Sequence, residues 1–219
     1  MKLNMLEELY FELPTDTEWM EIPENSPLGY EVGVDFYKWN TNKAVIIIVG
    51  KWGTAKGYEN KYVTIASWLV KKYWVNVFVV ENPWISRDDP ELFFDSAINF
   101  VNEKMKYIWF EKYKSFVMGF SAWWHFVWRF SYKYSEIEKI LLVNPVLRVD
   151  FEKLKTALLS FKWWITIVQW NKDTDYQFNP LLSQIINAKI EVLEWVDHQF
   201  TNDWGIDLFI SLPEKYLFD

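Results

Sequence analysis

A serine hydroxyl attacks a carbonyl carbon only when a neighbouring base takes its proton and a third group fixes that base. The serine placed for such work is Ser121, in the stretch Phe116-Val117-Met118-Gly119-Phe120-Ser121-Ala122-Trp123-Trp124-His125-Phe126. There an apolar strand-like run passes straight into a helical one. A sharp turn of this kind holds the hydroxyl out at the carboxyl edge of a sheet, at a helix N-terminus where developing negative charge is favoured. Its flanks must be small because the turn is strained and neighbouring backbone comes close. Gly119 satisfies this and Trp123 does not. A serine at a strand end is by itself usually structural, so its partners must supply the weight. Two histidines are available, His125 and His198, and the acids nearest in placement are Asp173, Asp175 and Asp197.

These residues need a scaffold that brings distant turns to one edge. From residue 44 onward, short apolar runs alternate with amphipathic stretches, the signature of β-α units and a mostly parallel sheet with helices on both faces. Strands are expected at Ala44–Val49, Val75–Val80, Ser115–Gly119, Lys139–Asn144, Ile165–Gln169 and Lys189–Glu194. Helices are expected over Tyr58–Tyr73, Glu91–Tyr107, from Ser121 onward, and over Asp150–Ser160, Asn179–Ala188 and Asp203–Leu212. The second follows Asp88-Asp89-Pro90, a capping acid before a first-turn proline. Residues 1–43 show period-2 alternation in Gly29–Tyr37 and suggest antiparallel edge strands. The whole reads as a single α/β domain over 1–219, with edge strands in 1–43 and a core over 44–212. About 20 residues separate Asn144 from Ile165, room for one helix and no separate cap domain.

With Trp123 and Trp124 taken as glycines, the elbow would read Gly-Phe-Ser-Ala-Gly-Gly-His, which resembles the nucleophile turn of the α/β-hydrolase family. As printed, the second glycine of that pattern is a tryptophan. Trp170-Asn171-Lys172-Asp173 resembles the family's Gly-x-x-Asp acid turn, and Trp195-Val196-Asp197-His198-Gln199-Phe200 its Gly-x-x-His-x-Phe turn. The resemblance implies a small capless, carboxylesterase-like serine hydrolase, with Ser121 as nucleophile, Asp173 as acid and His198 as base, in the family's chain order. Each follows the C-terminal end of an expected strand, where ligands bind in open parallel sheets. His125 lies about one helical turn past Ser121 and points into the elbow helix. Asp175 sits two residues beyond the acid turn and suits a cap; Asp197 abuts the histidine and cannot easily reach its ring. The loop Val49-Gly50-Lys51-Trp52-Gly53-Thr54 resembles the family's His-Gly-x-Gly-Gly loop, which implies an oxyanion hole from the backbone N–H groups of Lys51 and Ala122. Glu81-Asn82-Pro83-Trp84 and Val143-Asn144-Pro145 resemble further strand ends of the family. No metal or organic cofactor is implied, and a small acyl substrate is.

Composition narrows the alternatives. Over 219 residues, 51% are hydrophobic and 24% charged, ordinary for a globular domain, and the formal charge of −7 disfavours nucleic acid. Gly50 to Gly57 lacks the G-x-x-x-x-G-K-[ST] spacing of a phosphate-binding loop. There is no cysteine, and no apolar run of about 18 residues, so a cytoplasmic protein without a membrane span is expected. The chain holds 15 tryptophans and 7 glycines, against roughly 15 glycines for average usage. Trp52, Trp74, Trp84 and Trp170 stand at turns that favour positive φ, where glycine is at ease and a bulky aromatic is not. Many of these tryptophans are expected to stand for glycine, through a genetic code that reads UGA as glycine. Tryptophans stacking on sugars are the rival explanation. A peptidase, a thioesterase or an inactive binding protein of the same fold are the rival functions.

Overall fold

The computed structural model describes residues 6–12, 31–50, 53–82, 89–121, 124–145, 151–162, 164–171, 180, 183, 188–194, 198, 200 and 204–218. In chain order these form β1 (Leu6–Glu12), β2 (Glu31–Tyr37), β3 (Lys43–Ile48), α1 (Lys61–Tyr73), β4 (Asn76–Val80) and α2 (Pro90–Tyr107). There follow β5 (Lys114–Phe120), α3 (Trp124–Phe130), β6 (Ile137–Val143), α4 (Phe151–Ser160), β7 (Trp164–Trp170), β8 (Ala188–Leu193) and α5 (Gly205–Pro213).

Among the described residues the strands make one eight-stranded sheet in the order β1-β2-β4-β3-β5-β6-β7-β8. The pairs β1–β2 and β2–β4 are antiparallel, and every pair from β4 to β8 is parallel. The parallel strands are covered on both faces, which is why they read as continuous apolar runs rather than alternating ones. In β3, Ala44, Ile46 and Ile48 join the core that contains residues of α2, α3 and α4, while Val45 and Ile47 join the core beneath α1 and α5. All five are fully buried. At about 25 cal/mol per Å² of apolar surface, each branched side chain here contributes roughly 1.5–3 kcal/mol.

Strand boundaries move by one or two residues from their expected places, and two elements differ for physical reasons. The expected helix over Tyr58–Tyr73 opens instead as a 3₁₀ turn, Tyr58–Asn60, because Glu59 and Asn60 take positive φ of 49° and 57°. The α-helix then starts at Lys61 and buries Tyr62, Ile65, Ala66, Leu69 and Val70 along one stripe. Asp89 caps α2 as expected, accepting from Leu92 N–H at 2.9 Å. Trp170 departs from its expected left-handed turn. It is the last residue of β7, pairs with Leu193 of β8, and its φ is not positive. The helix expected over 179–188 lies outside the described residues apart from Pro180, Ser183 and Ala188, the last of which begins β8.

Trp74 behaves as its position demanded. It closes α1 at φ 54°, ψ 48°, donating its N–H to Val70 O at 3.1 Å, with its ring largely exposed. Trp109 does the same after α2, at φ 76° and 91% exposed, with its N–H on Lys106 O at 2.9 Å. That second site was missed in the sequence, although a tryptophan just past an amphipathic helix was a readable sign. The left-handed conformation costs a residue with a Cβ roughly 1–2 kcal/mol, and neither exposed ring gains enough packing to offset it. Trp74→Gly should therefore raise stability by about 1 kcal/mol. Urea unfolding checks this, and an unchanged or lowered midpoint would count against it.

Candidate active site

Ser121 stands immediately after β5, and its φ of 61° is the strained turn that the elbow sequence called for. Holding a non-glycine residue there costs on the order of 1–3 kcal/mol, which the packing around it must supply. Phe120 is buried beneath it in the core under α1 and α5, and the serine is itself 8% exposed. Its Oγ lies 2.8 Å from His198 Nε2, across 77 residues of chain. With the ring proton on Nδ1, Nε2 accepts from the hydroxyl, the arrangement a base needs before it can take that proton.

The histidine is held from two sides. Its backbone carbonyl accepts from Asn144 Nδ2 at 3.0 Å. Two residues on, Phe200 is fully buried at φ 58°, 6.3 Å from the Phe120 ring and 5.0 Å from the Phe209 ring of α5. The phenylalanine of the Gly-x-x-His-x-Phe turn thus anchors the loop in the same core that supports the serine.

The loop after β3 passes directly against the elbow. A Cβ on Gly50 would stand 2.9 Å from Phe120 Cδ1 and 3.4 Å from Ser121 Cβ, so the approach needs a residue without one. Gly53 closes a tight turn with its N–H on Gly50 O at 2.8 Å, and a Cβ there would stand 2.7 Å from that same oxygen. The end of β4 ties the loop down. Buried Asn82 donates from Nδ2 to Val49 O and from its backbone N–H to Gly53 O, each at 3.2 Å, while Glu81 accepts from Ala55 N–H at 2.9 Å.

Ser121 and His198 are therefore brought together, and Gly50 is packed beside the serine. Lys51, Trp52, Ala122, Trp123, Asp173, Asp175 and Asp197 lie outside the described residues, as does Trp84. His125 falls within α3.

Sequence reasoning missed two neighbours of the site. Lys61 is 2% exposed, with its ammonium 4.5 Å from the Phe120 ring centre and 4.6 Å from that of Phe209, a cation held over two aromatic faces. Nothing in Asn60-Lys61-Tyr62 marked it, since lysine at a helix start reads as solvated. Tyr62 is buried beside it, and loss of solvent pushes its phenol up, against a smaller opposing effect from a hydrogen bond with the Gly50 backbone. The phenol stays protonated below the loop. Asn144 was read only as a strand end, and its side chain proves to bind both the His198 turn and the end of β7.

Among the described residues, no helix is long and apolar enough to cross a membrane, and no three His, Asp or Glu side chains gather as metal ligands. No protein-family model and no curated protein matches the sequence. Solved structures do match in three dimensions. The chain is similar to a dienelactone hydrolase from Anabaena variabilis, at 10% identity and a TM-score of 0.67 over 97% of each chain. It is also similar to an alpha-beta serine hydrolase homologue from Coxiella burnetii, at 14% identity and a TM-score of 0.66 over 94% of each chain. Carboxyl esterase 2 from Tuber melanosporum matches at 14% identity and a TM-score of 0.60, over 96% of this chain and 83% of that one. With its sheet order, its helices on both faces and these neighbours, the chain has the α/β-hydrolase fold.

Proposed function

We propose that this protein is a serine hydrolase that cleaves an ester, or a related acyl bond, through an acyl-enzyme. The observation that carries the proposal is the 2.8 Å approach of Ser121 Oγ to His198 Nε2 at the carboxyl edge of the sheet. The likeness in fold to a dienelactone hydrolase and a carboxyl esterase supports the choice of acyl chemistry.

In this mechanism His198 takes the hydroxyl proton as Ser121 Oγ bonds to the carbonyl carbon. The backbone N–H groups of Ala122 and Lys51 stabilise the resulting oxyanion. His198 returns the proton to the leaving alcohol as the acyl-enzyme forms; water, activated by the same ring, then releases the acid and restores the serine. Asp173 holds His198 in the tautomer with its proton on Nδ1. The whole chain, 1–219, acts as one domain without a cap, and its place is the cytoplasm.

A fluorophosphonate probe tests this, because it reacts far faster with a serine that a base has activated than with an ordinary one. We expect one adduct, located on the Ser121 peptide by mass spectrometry, in the printed chain or in a variant with glycine at 123 and 124. An unlabelled protein, or an adduct on another residue, would refute the assignment.

A further inference from the structure

We propose that Asn144 is a positioning residue for the reaction, holding the turn that carries His198 and the C-terminal end of β7 in one fixed relation. The inference rests on the serine hydrolase function proposed above. Asn144 lies just past β6, the strand paired with that of Ser121 on one side and with β7 on the other. It is fully buried. Its Oδ1 accepts from Trp170 N–H at 3.0 Å, where the segment toward Asp173 begins, and its Nδ2 donates to the carbonyl of His198 at 3.0 Å. One planar amide thus bonds to the backbone of the His198 turn and to that of the last residue of β7, the strand that leads toward Asp173.

Two requirements select this residue type together. The backbone is left-handed, at φ 47°, and its N–H is engaged with Val168 O at 2.8 Å. Among residues with a side chain, that conformation is entered most readily by asparagine, aspartate and histidine. The two contacts also need a donor and an acceptor on one short side chain, which the amide has and an ionised carboxylate lacks. The backbone ladder already joins β6 to β7. The bond to His198 adds nothing to that ladder; it fixes the residue that carries the base. A shift of about 1 Å between nucleophile and base can lower a rate by roughly a hundredfold.

Two variants separate positioning from simple support. Asn144→Gly accepts the left-handed backbone without strain and removes both amide bonds. Asn144→Asp keeps the acceptor for Trp170 N–H and sets an oxygen against the His198 carbonyl. With p-nitrophenyl acetate, and with active sites counted by the fluorophosphonate probe, we expect kcat per titrated site to fall roughly ten- to a hundredfold in both variants. KM should stay within about twofold, and the His198 imidazole resonances should split or broaden. A purely structural asparagine would lower the unfolding midpoint and the number of titrated sites, and leave kcat per site alone. Parent-like kcat per titrated site in either variant overturns the inference. An inactive Ser121→Ala beside such a result leaves the hydrolase assignment standing; an active Ser121→Ala overturns that assignment and the inference with it.

Discussion

Ser121→Ala should lower kcat for a p-nitrophenyl ester by at least about a thousandfold while leaving the protein folded. The alanine keeps the Cβ that the elbow already accommodates at φ 61°, so no new strain enters. What is lost is the hydroxyl oxygen 2.8 Å from His198 Nε2. In serine hydrolases the nucleophile and its base act as a unit, so removing either costs nearly as much as removing both. His198→Ala should therefore match Ser121→Ala within about tenfold, and the double variant should be little worse than either. Steady-state kinetics with matched circular dichroism spectra give the comparison. Two losses that multiply would mean that the serine and histidine act separately, and wild-type turnover in Ser121→Ala would mean that another residue is the nucleophile.

The largest effect on stability is expected at Trp128. It lies in α3, fully buried in the core that includes Phe94, Val127 and Ile140. Removing a buried aromatic ring costs roughly 3–5 kcal/mol, because the cavity left behind closes only in part. Glycine inside a helix adds up to about 1 kcal/mol. Against a total stability of about 5–15 kcal/mol, Trp128→Gly should remove about a quarter or more. This is opposite in sign to Trp74→Gly, although both make the same chemical change. The difference lies in surroundings: Trp74 is exposed with a backbone that suits glycine, whereas Trp128 is enclosed with a helical backbone. Urea unfolding of the two variants side by side decides the matter. A cost below about 1 kcal/mol at position 128 would mean that α3 can close onto the sheet, and that glycine fits there too.

Local pattern made much of the architecture legible. The run Ala44–Val49 lies at a fully buried strand, and Tyr62, Ile65, Ala66 and Leu69 do face one core, because burial on two faces or on one stripe leaves its period in the sequence. Turn chemistry was legible for the same reason: Asp89 and Pro90 start α2, and Trp74 takes the left-handed end of α1. Boundaries were less so. Asn60 ends one turn and precedes the helix that starts at Lys61, a choice made by backbone conformation rather than by hydrophobic period. Trp170 stayed extended because β8 was there to pair with it.

For the site, the sequence by itself determined which residue types stand at the strand ends, with Ser121 and His198 each next to a turn and Gly50 and Gly53 in the loop between β3 and α1. It could not determine their distances. That β4 lies between β2 and β3, that residues 77 apart meet at 2.8 Å, and that Asn144 bonds at once to the His198 turn and to the end of β7 are all results of long-range strand pairing. A side chain's period reports which face it buries, and only the assembled sheet decides which other turn it meets there.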